Sequence, residues 1–165
     1  MENEIKERRY PKPMSTLTMV FWTGLFGGVF WSMIGYLAYL FSLTEIRPTI
    51  ILEPWALGDW KKDWLGTVIS IIFIGIFSVG AAFVYYVTLK KFKGIWPGVG
   101  YGIVLFLLVF FVLNPLFPGM SPFLQLSRDT IITSACIYIV YGLFIGYSIS
   151  YEFQNVIVQD NEPIT

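Results

Sequence analysis

Residues 64–89 read WLGTVISIIFIGIFSVGAAFVYYVTL, twenty-six positions without a charge, closed by Asp63 on one side and by Lys90 and Lys91 on the other. About 20 apolar residues at ~1.5 Å of helical rise each cross the ~30 Å of hydrocarbon in a bilayer. The run is apolar at nearly every position, whereas a lipid-facing barrel strand alternates with polar lumen residues at every second one. It therefore reads as a membrane-spanning α-helix.

The same test picks out three more windows. Thirty-two uncharged residues lie between Lys12 and Glu45, thirty-four between Lys93 and Arg128, and twenty-two between Asp129 and Glu152. A charge at the bilayer centre costs at least ~2.5 to 3.5 kcal/mol by insertion scales, so this avoidance marks spans. We place them at Leu17 to Leu43, Trp64 to Leu89, Trp96 to Leu113 and Thr130 to Tyr151. Asp59 is suited to cap the entry to the second span and Gly94 to terminate it; Pro97 fits the first turn of the third. The third should stop near Asn114, because Pro115 lacks an amide hydrogen and Pro118 and Pro122 follow, while Ser127 and Asp129 start the fourth. The fold class is an all-α membrane protein: a four-helix transmembrane bundle over 17–152, with a tail at 1–16, another at 153–165, and an interfacial outer loop between helices 1 and 2.

Composition agrees and excludes several functions. Of 165 residues, 56% are hydrophobic and 13% charged, against roughly 45–50% and 25% in soluble domains. Eleven basic and eleven acidic residues cancel, and no basic face interleaved with aromatics suggests nucleic-acid binding. Histidine is absent and Cys136 is the single cysteine, which removes the usual zinc ligands and the usual general base near neutral pH. We expect no catalytic set, no metal site and no cofactor. The first apolar run is too long for the 7–15-residue core of a cleaved signal peptide and should remain as a span, with Arg8 and Arg9 as orientation signals rather than an export motif.

Orientation follows from basic residues in the short flanks. Lys6, Arg8, Arg9, Lys12, Lys90, Lys91 and Lys93 stand on one side, and Arg47, Lys61, Lys62 and Arg128 on the other. Seven against four predicts that both termini are cytoplasmic. The outer segment 44–63 mixes Ile46, Ile50, Ile51, Leu52, Trp55, Leu57 and Trp60 with charges, so it should lie on the bilayer surface or fold over the bundle. Trp55, Trp60 and Trp64 suit headgroup depth as an aromatic belt; a ligand-binding lid is the alternative. The two ends, mixed in charge or polar without a helical stripe, read as mobile tails.

Within lipid, helices associate through close backbone approach rather than the hydrophobic effect, so small residues at helical spacing mark packing faces. Gly24, Gly28, Trp31, Gly35 and Ala38 share one arc of the first span. Gly66, Ser70, Phe73, Phe77 and Gly80 share one on the second, Gly98 and Gly102 on the third, and Ala135, Gly142 and Gly146 on the fourth. These faces serve either the bundle itself or contact with a second copy. Gly142, Leu143 and Phe144 repeat Gly24, Leu25 and Phe26, too short an echo to define an inverted repeat. Glu45, Asp63, Asp129 and Glu152 all sit at span ends, which disfavours a proton-coupled carrier with a midplane carboxylate. A candidate polar site lies at the outer boundary: Asn114 is 18 residues, about 27 Å, beyond Trp96, and Asp129, Thr130 and Thr133 begin the fourth span at that level, with Glu53 and Arg47 from the outer loop folding over them. The other reading makes Asn114 and Asp129 simple helix-end residues.

The run Gly24 to Ser32 with Ile34, Gly35 and Tyr36, the segment Leu65 to Ile71, Asn114 and Pro115 after Phe110 and Phe111, and Asp129 to Thr133 with Tyr141 to Ile149 together resemble the YqhR family of small membrane proteins of Gram-positive bacteria. The resemblance covers about residues 17–152 and implies a bacterial plasma-membrane location, with no catalytic or binding residues to carry over. Two functions are compatible with this reading: a non-enzymatic scaffold, assembly or partner subunit contacting lipid and another membrane protein or itself, and a transporter or channel component for a neutral or weakly polar solute.

Overall fold

A computed structural model describes residues 15–54, 58, 63–92, 94–117 and 119–161, with backbone alone over 155–161. It is all-helical over these residues, with four helices long and apolar enough to cross a membrane. They are α1 (Thr16–Leu40), α2 (Trp64–Leu89), α3 (Trp96–Leu107) and α4 (Arg128–Asn161). α3 continues through a π-helical turn, Leu108–Leu113, into a 3-10 turn, Asn114–Leu116. Two further 3-10 turns, Pro48–Leu52 and Phe123–Gln125, lie in the long connections. The helices alternate in direction, so the 41–63 and 117–127 connections share one end of the bundle, here the loop end. Both chain termini and the short α2–α3 link share the other, the tail end.

α1 packs along α2, and α3 along α4; α4 also touches α1 and, less extensively, α2. The four helices thus form two hairpins joined through α4. The α2 and α3 backbones stay apart and are bridged by a side chain: Tyr101 Oη donates to the Ala81 carbonyl (2.6 Å), and its ring meets Tyr85 edge-on at 5.1 Å. The buried centre comprises Val20, Ala82, Tyr85, Tyr101, Tyr141, Ile145 and Ile149. Large apolar side chains such as Trp22, Phe26, Ile76, Phe77 and Val112 face outward, as a lipid solvent requires.

Local sequence explains the boundaries. α1 ends in a Schellman-type turn, with Leu43 N–H donating to the Ala38 carbonyl (2.9 Å) and Ser42 taking the left-handed conformation (φ 59°) where glycine or asparagine is usual. α1 therefore stops at Leu40 rather than Leu43. Gly94 (φ 110°) reverses the chain between α2, which already ends at Leu89, and Pro97 in the first turn of α3. Ser127 Oγ accepts from Thr130 N–H (3.3 Å) as an N-cap for α4, with Asp129 in the first turn. α2 begins after Asp63, whose side chain makes no capping bond, and Asp59 lies outside the described residues.

α4 continues as a helix to Asn161, because neither glycine nor proline interrupts the chain before Pro163. α3 continues helically to Leu113, as expected from sequence, but its last turns widen and then tighten as Pro115 removes a backbone donor. The tail at 1–14, Lys61, Lys62, Lys93, Trp55, Leu57 and Trp60 lie outside the described residues.

Candidate functional site

Two glycine seams hold the hairpins. A Cβ built on Gly142 would lie 2.5 Å from Gly102 Cα and 2.5 Å from the Gly98 carbonyl oxygen, and one on Gly102 would lie 2.7 Å from Ile139 Cα. A Cβ on Gly146 would meet Gly98 Cα at 2.7 Å. In the other hairpin, a Cβ on Gly24 would lie 2.8 Å from Val79 Cα, and one on Gly28 2.8 Å from Gly75 Cα. Gly66 is buried and its carbonyl accepts from Ser70 Oγ (2.7 Å). Among the described residues, a Cβ on Gly35 or Gly80 would have nothing within 4 Å, so these two glycines lie off the seams within the bundle. On α2 the buried face passes through Gly75, Ser78, Ala82 and Tyr85, leaving Phe73 and Phe77 outward.

Hydroxyls reinforce the seams. Ser78 Oγ donates to the Gly24 carbonyl (2.6 Å) and stands 2.5 Å from Tyr141 Oη, which ties α1, α2 and α4 at one level. Tyr85 Oη and Ser150 Oγ pair at 3.1 Å. Trp31 Nε1 is buried with no hydrogen-bond partner among the described residues.

At the loop end, Phe110, Met120 and Leu126 form a second apolar cluster, covered by Ile46 and Ile50 and flanked by Phe106, Phe117, Phe123 and Tyr138. Segment 44–52 thus reaches the ends of α3 and α4 through Glu45, Ile46 and Ile50, while its Pro48–Leu52 turn packs chiefly against α2. Thr130, fully buried, fixes it: its Oγ1 accepts from Glu45 N–H (2.9 Å) and from Ser127 Oγ (2.9 Å). Asn114 is also buried; its Nδ2 donates to the Ser121 carbonyl (3.2 Å), and its own carbonyl accepts from Phe117 N–H (3.0 Å), which staples the turn after α3. The Glu53 carboxylate rests against Gly119, where any Cβ would overlap it, and its Oε2 is buried without a hydrogen-bond partner among the described residues.

The six polar residues named from sequence therefore divide. Asn114, Thr130 and Glu53 belong to the layer that closes over α3 and α4, with Thr133 half-buried one turn along α4. Asp129 is exposed. Arg47 turns toward α1 instead: its Nε donates to Tyr39 Oη (2.5 Å), and its guanidinium carbon stands 4.8 Å from the centre of the Tyr39 ring. The sequence singled out neither Tyr39 nor Ser78, and Tyr141 only within the family resemblance, because the partners of these hydroxyls lie on other elements. Among the described residues, no three His, Cys, Asp or Glu side chains converge in a way that could hold a metal ion.

Four apolar helices joined by glycine contacts and interhelical hydroxyl bonds define a small multi-pass membrane protein. The chain belongs to the family of the conserved membrane protein YqhR, whose model matches residues 1–163. It is 55% identical over 153 residues to the "Uncharacterized protein YqhR" of Bacillus subtilis (strain 168), which covers 93% of this chain and 85% of that one. No solved structure matches it at a significant level.

Proposed function

We propose that the chain is a non-enzymatic subunit of a plasma-membrane assembly, a scaffold or partner protein that sits with both termini in the cytoplasm. The observation that carries this reading is the state of six hydroxyls on the buried faces of the spans. Ser70, Ser78, Tyr85, Tyr101, Tyr141 and Ser150 each bond to another group of the bundle. A carrier needs such groups free to replace water around a solute near the midplane. The seven-to-four excess of basic residues on the tail side supports the orientation. Polar surface suited to a partner lies at the loop end, where Asp129 is exposed beside the folded-over segment.

The reading is tested by crosslinking in native membranes followed by affinity purification, with Asp129→Lys as the control. It predicts a partner recovered in near-stoichiometric amount and reduced by the charge reversal. Recovery of this chain alone, together with solute uptake by vesicles reconstituted with it, would instead establish the carrier.

A further inference from the structure

We propose that the loop end holds a binding pocket for a phosphate group, supplied by the headgroup of an anionic phospholipid. A pocket of about 180 Å³ opens between the end of α1 and the start of α2, lined by Tyr36, Tyr39, Arg47, Pro48, Thr49 and Thr67. Among the described residues, one cation and four hydroxyl-bearing side chains line it and no carboxylate does.

The arrangement aims donors at an anion. Arg47 Nε is engaged by Tyr39 Oη and the guanidinium is held over the Tyr39 ring. That fixes the fork, and no other described residue bonds its outer nitrogens, which suit bidentate contact with phosphate oxygens. Because Tyr39 Oη accepts from Arg47, its own proton is available to a ligand. Tyr36 and Thr49 add hydroxyl donors, and Thr67 contributes one through a long bond to the Asp63 carbonyl (3.4 Å) that a stronger acceptor can displace. Asp63 is exposed and does not line the pocket, so among the described residues Arg47 sets its sign.

Depth selects a lipid over a dissolved ion. α1 ends at Leu40 and α2 starts at Trp64, so the pocket sits at headgroup level. The exposed side chains of the same helices nearer the bilayer centre are apolar, among them Met33, Leu37, Val68 and Ile72, and offer a surface to acyl chains. Arg47, the one charged residue among the described residues of the lining, favours a headgroup of net negative charge over a zwitterionic one, whose cationic end would lie beside it.

The test uses the full-length protein in non-ionic detergent. Phosphatidylglycerol, phosphatidylcholine or inorganic phosphate is added, and both the shift in Tm and the lipid retained in native mass spectra are read. We expect phosphatidylglycerol to raise Tm by several degrees and phosphatidylcholine to do so far less. Arg47→Gln should at least halve the phosphatidylglycerol shift and the retained lipid, whereas Lys91→Gln at the tail end should change neither. Thr49→Val, which leaves the Arg47–Tyr39 pair intact, provides the same reading if Arg47→Gln fails to fold, and should also reduce the shift. Equal phosphatidylglycerol shifts in the parent and both pocket variants would overturn the proposal, since Arg47 would then only brace the loop. An Arg47-dependent shift of the same size from inorganic phosphate would overturn the lipid assignment.

Discussion

Replacing Gly142 by alanine puts a methyl group where the α3 backbone already is. The new carbon would lie 2.5 Å from both Gly102 Cα and the Gly98 oxygen, whereas ordinary Cβ contacts begin near 3.4 Å. These obstacles are backbone atoms of a neighbouring helix, which no rotamer change removes, so α3 and α4 must separate by close to 1 Å along the seam. Overpacking of this kind costs ~1 to 3 kcal/mol, and an immovable obstacle places it near ~3. Alanine returns up to ~1 kcal/mol through its better helix propensity. A net loss of ~2 kcal/mol corresponds to a fall in Tm of roughly 4 to 8 °C for a chain of this size. The assay is thermal aggregation in detergent followed by size exclusion. Gly80→Ala is the control, because its Cβ meets nothing within 4 Å, and it should leave Tm unchanged or slightly higher. A Gly142→Ala protein as stable as the parent, or a Gly80→Ala protein equally destabilised, would refute the seam.

Ser78→Ala and Tyr141→Phe should each lower stability modestly, and a double-mutant cycle should give a coupling near ~0.6 kcal/mol, the usual size of an interhelical hydrogen bond in a membrane; additive effects would contradict the shared bond. Thr130→Val removes the acceptor for Glu45 N–H, and hydrogen exchange should quicken at residues 45–50 while the centre of α2 stays protected. Ser42→Gly should raise Tm by a few degrees, since glycine adopts the left-handed conformation there without strain; a fall would show that the Ser42 side chain contributes more than its backbone costs.

The spans were legible because charge avoidance is a one-dimensional signal: Asp63 and Lys90 bracket α2 to the residue. Helix rotation was harder to read. In lipid both faces of a helix are apolar, so hydropathy cannot separate them, and only the small residues speak. Gly24 and Gly28 share one small-residue face in the sequence, and that face meets α2. On α2 the reading stepped from Ser70 to Phe73, Phe77 and Gly80, whereas the buried face drifts to Gly75 and Ser78, the residues that meet α1. Two arcs on one apolar helix are nearly equivalent until the neighbour is known. At the loop end, polar residues near Asn114 and Thr130 were legible from their level along the helices, but their bonding was not. The Thr130–Glu45 bond joins residues 85 apart, and Arg47 engages the hydroxyl and aromatic face of Tyr39 on α1.

The arrangement of four spans with both termini inside is tested most directly by labelling single cysteines in intact cells with a membrane-impermeant thiol reagent, in a Cys136→Ser background. Leu124→Cys lies in the exposed connection between α3 and α4, Phe92→Cys in the exposed link between α2 and α3, and Ile76→Cys in the middle of α2. The account predicts labelling at 124 in intact cells, labelling at 92 only after the membrane is opened, and none at 76 until the protein is denatured. Labelling at 92 in intact cells would contradict the orientation, and labelling at 92 and 124 from the same side would contradict the four-span fold.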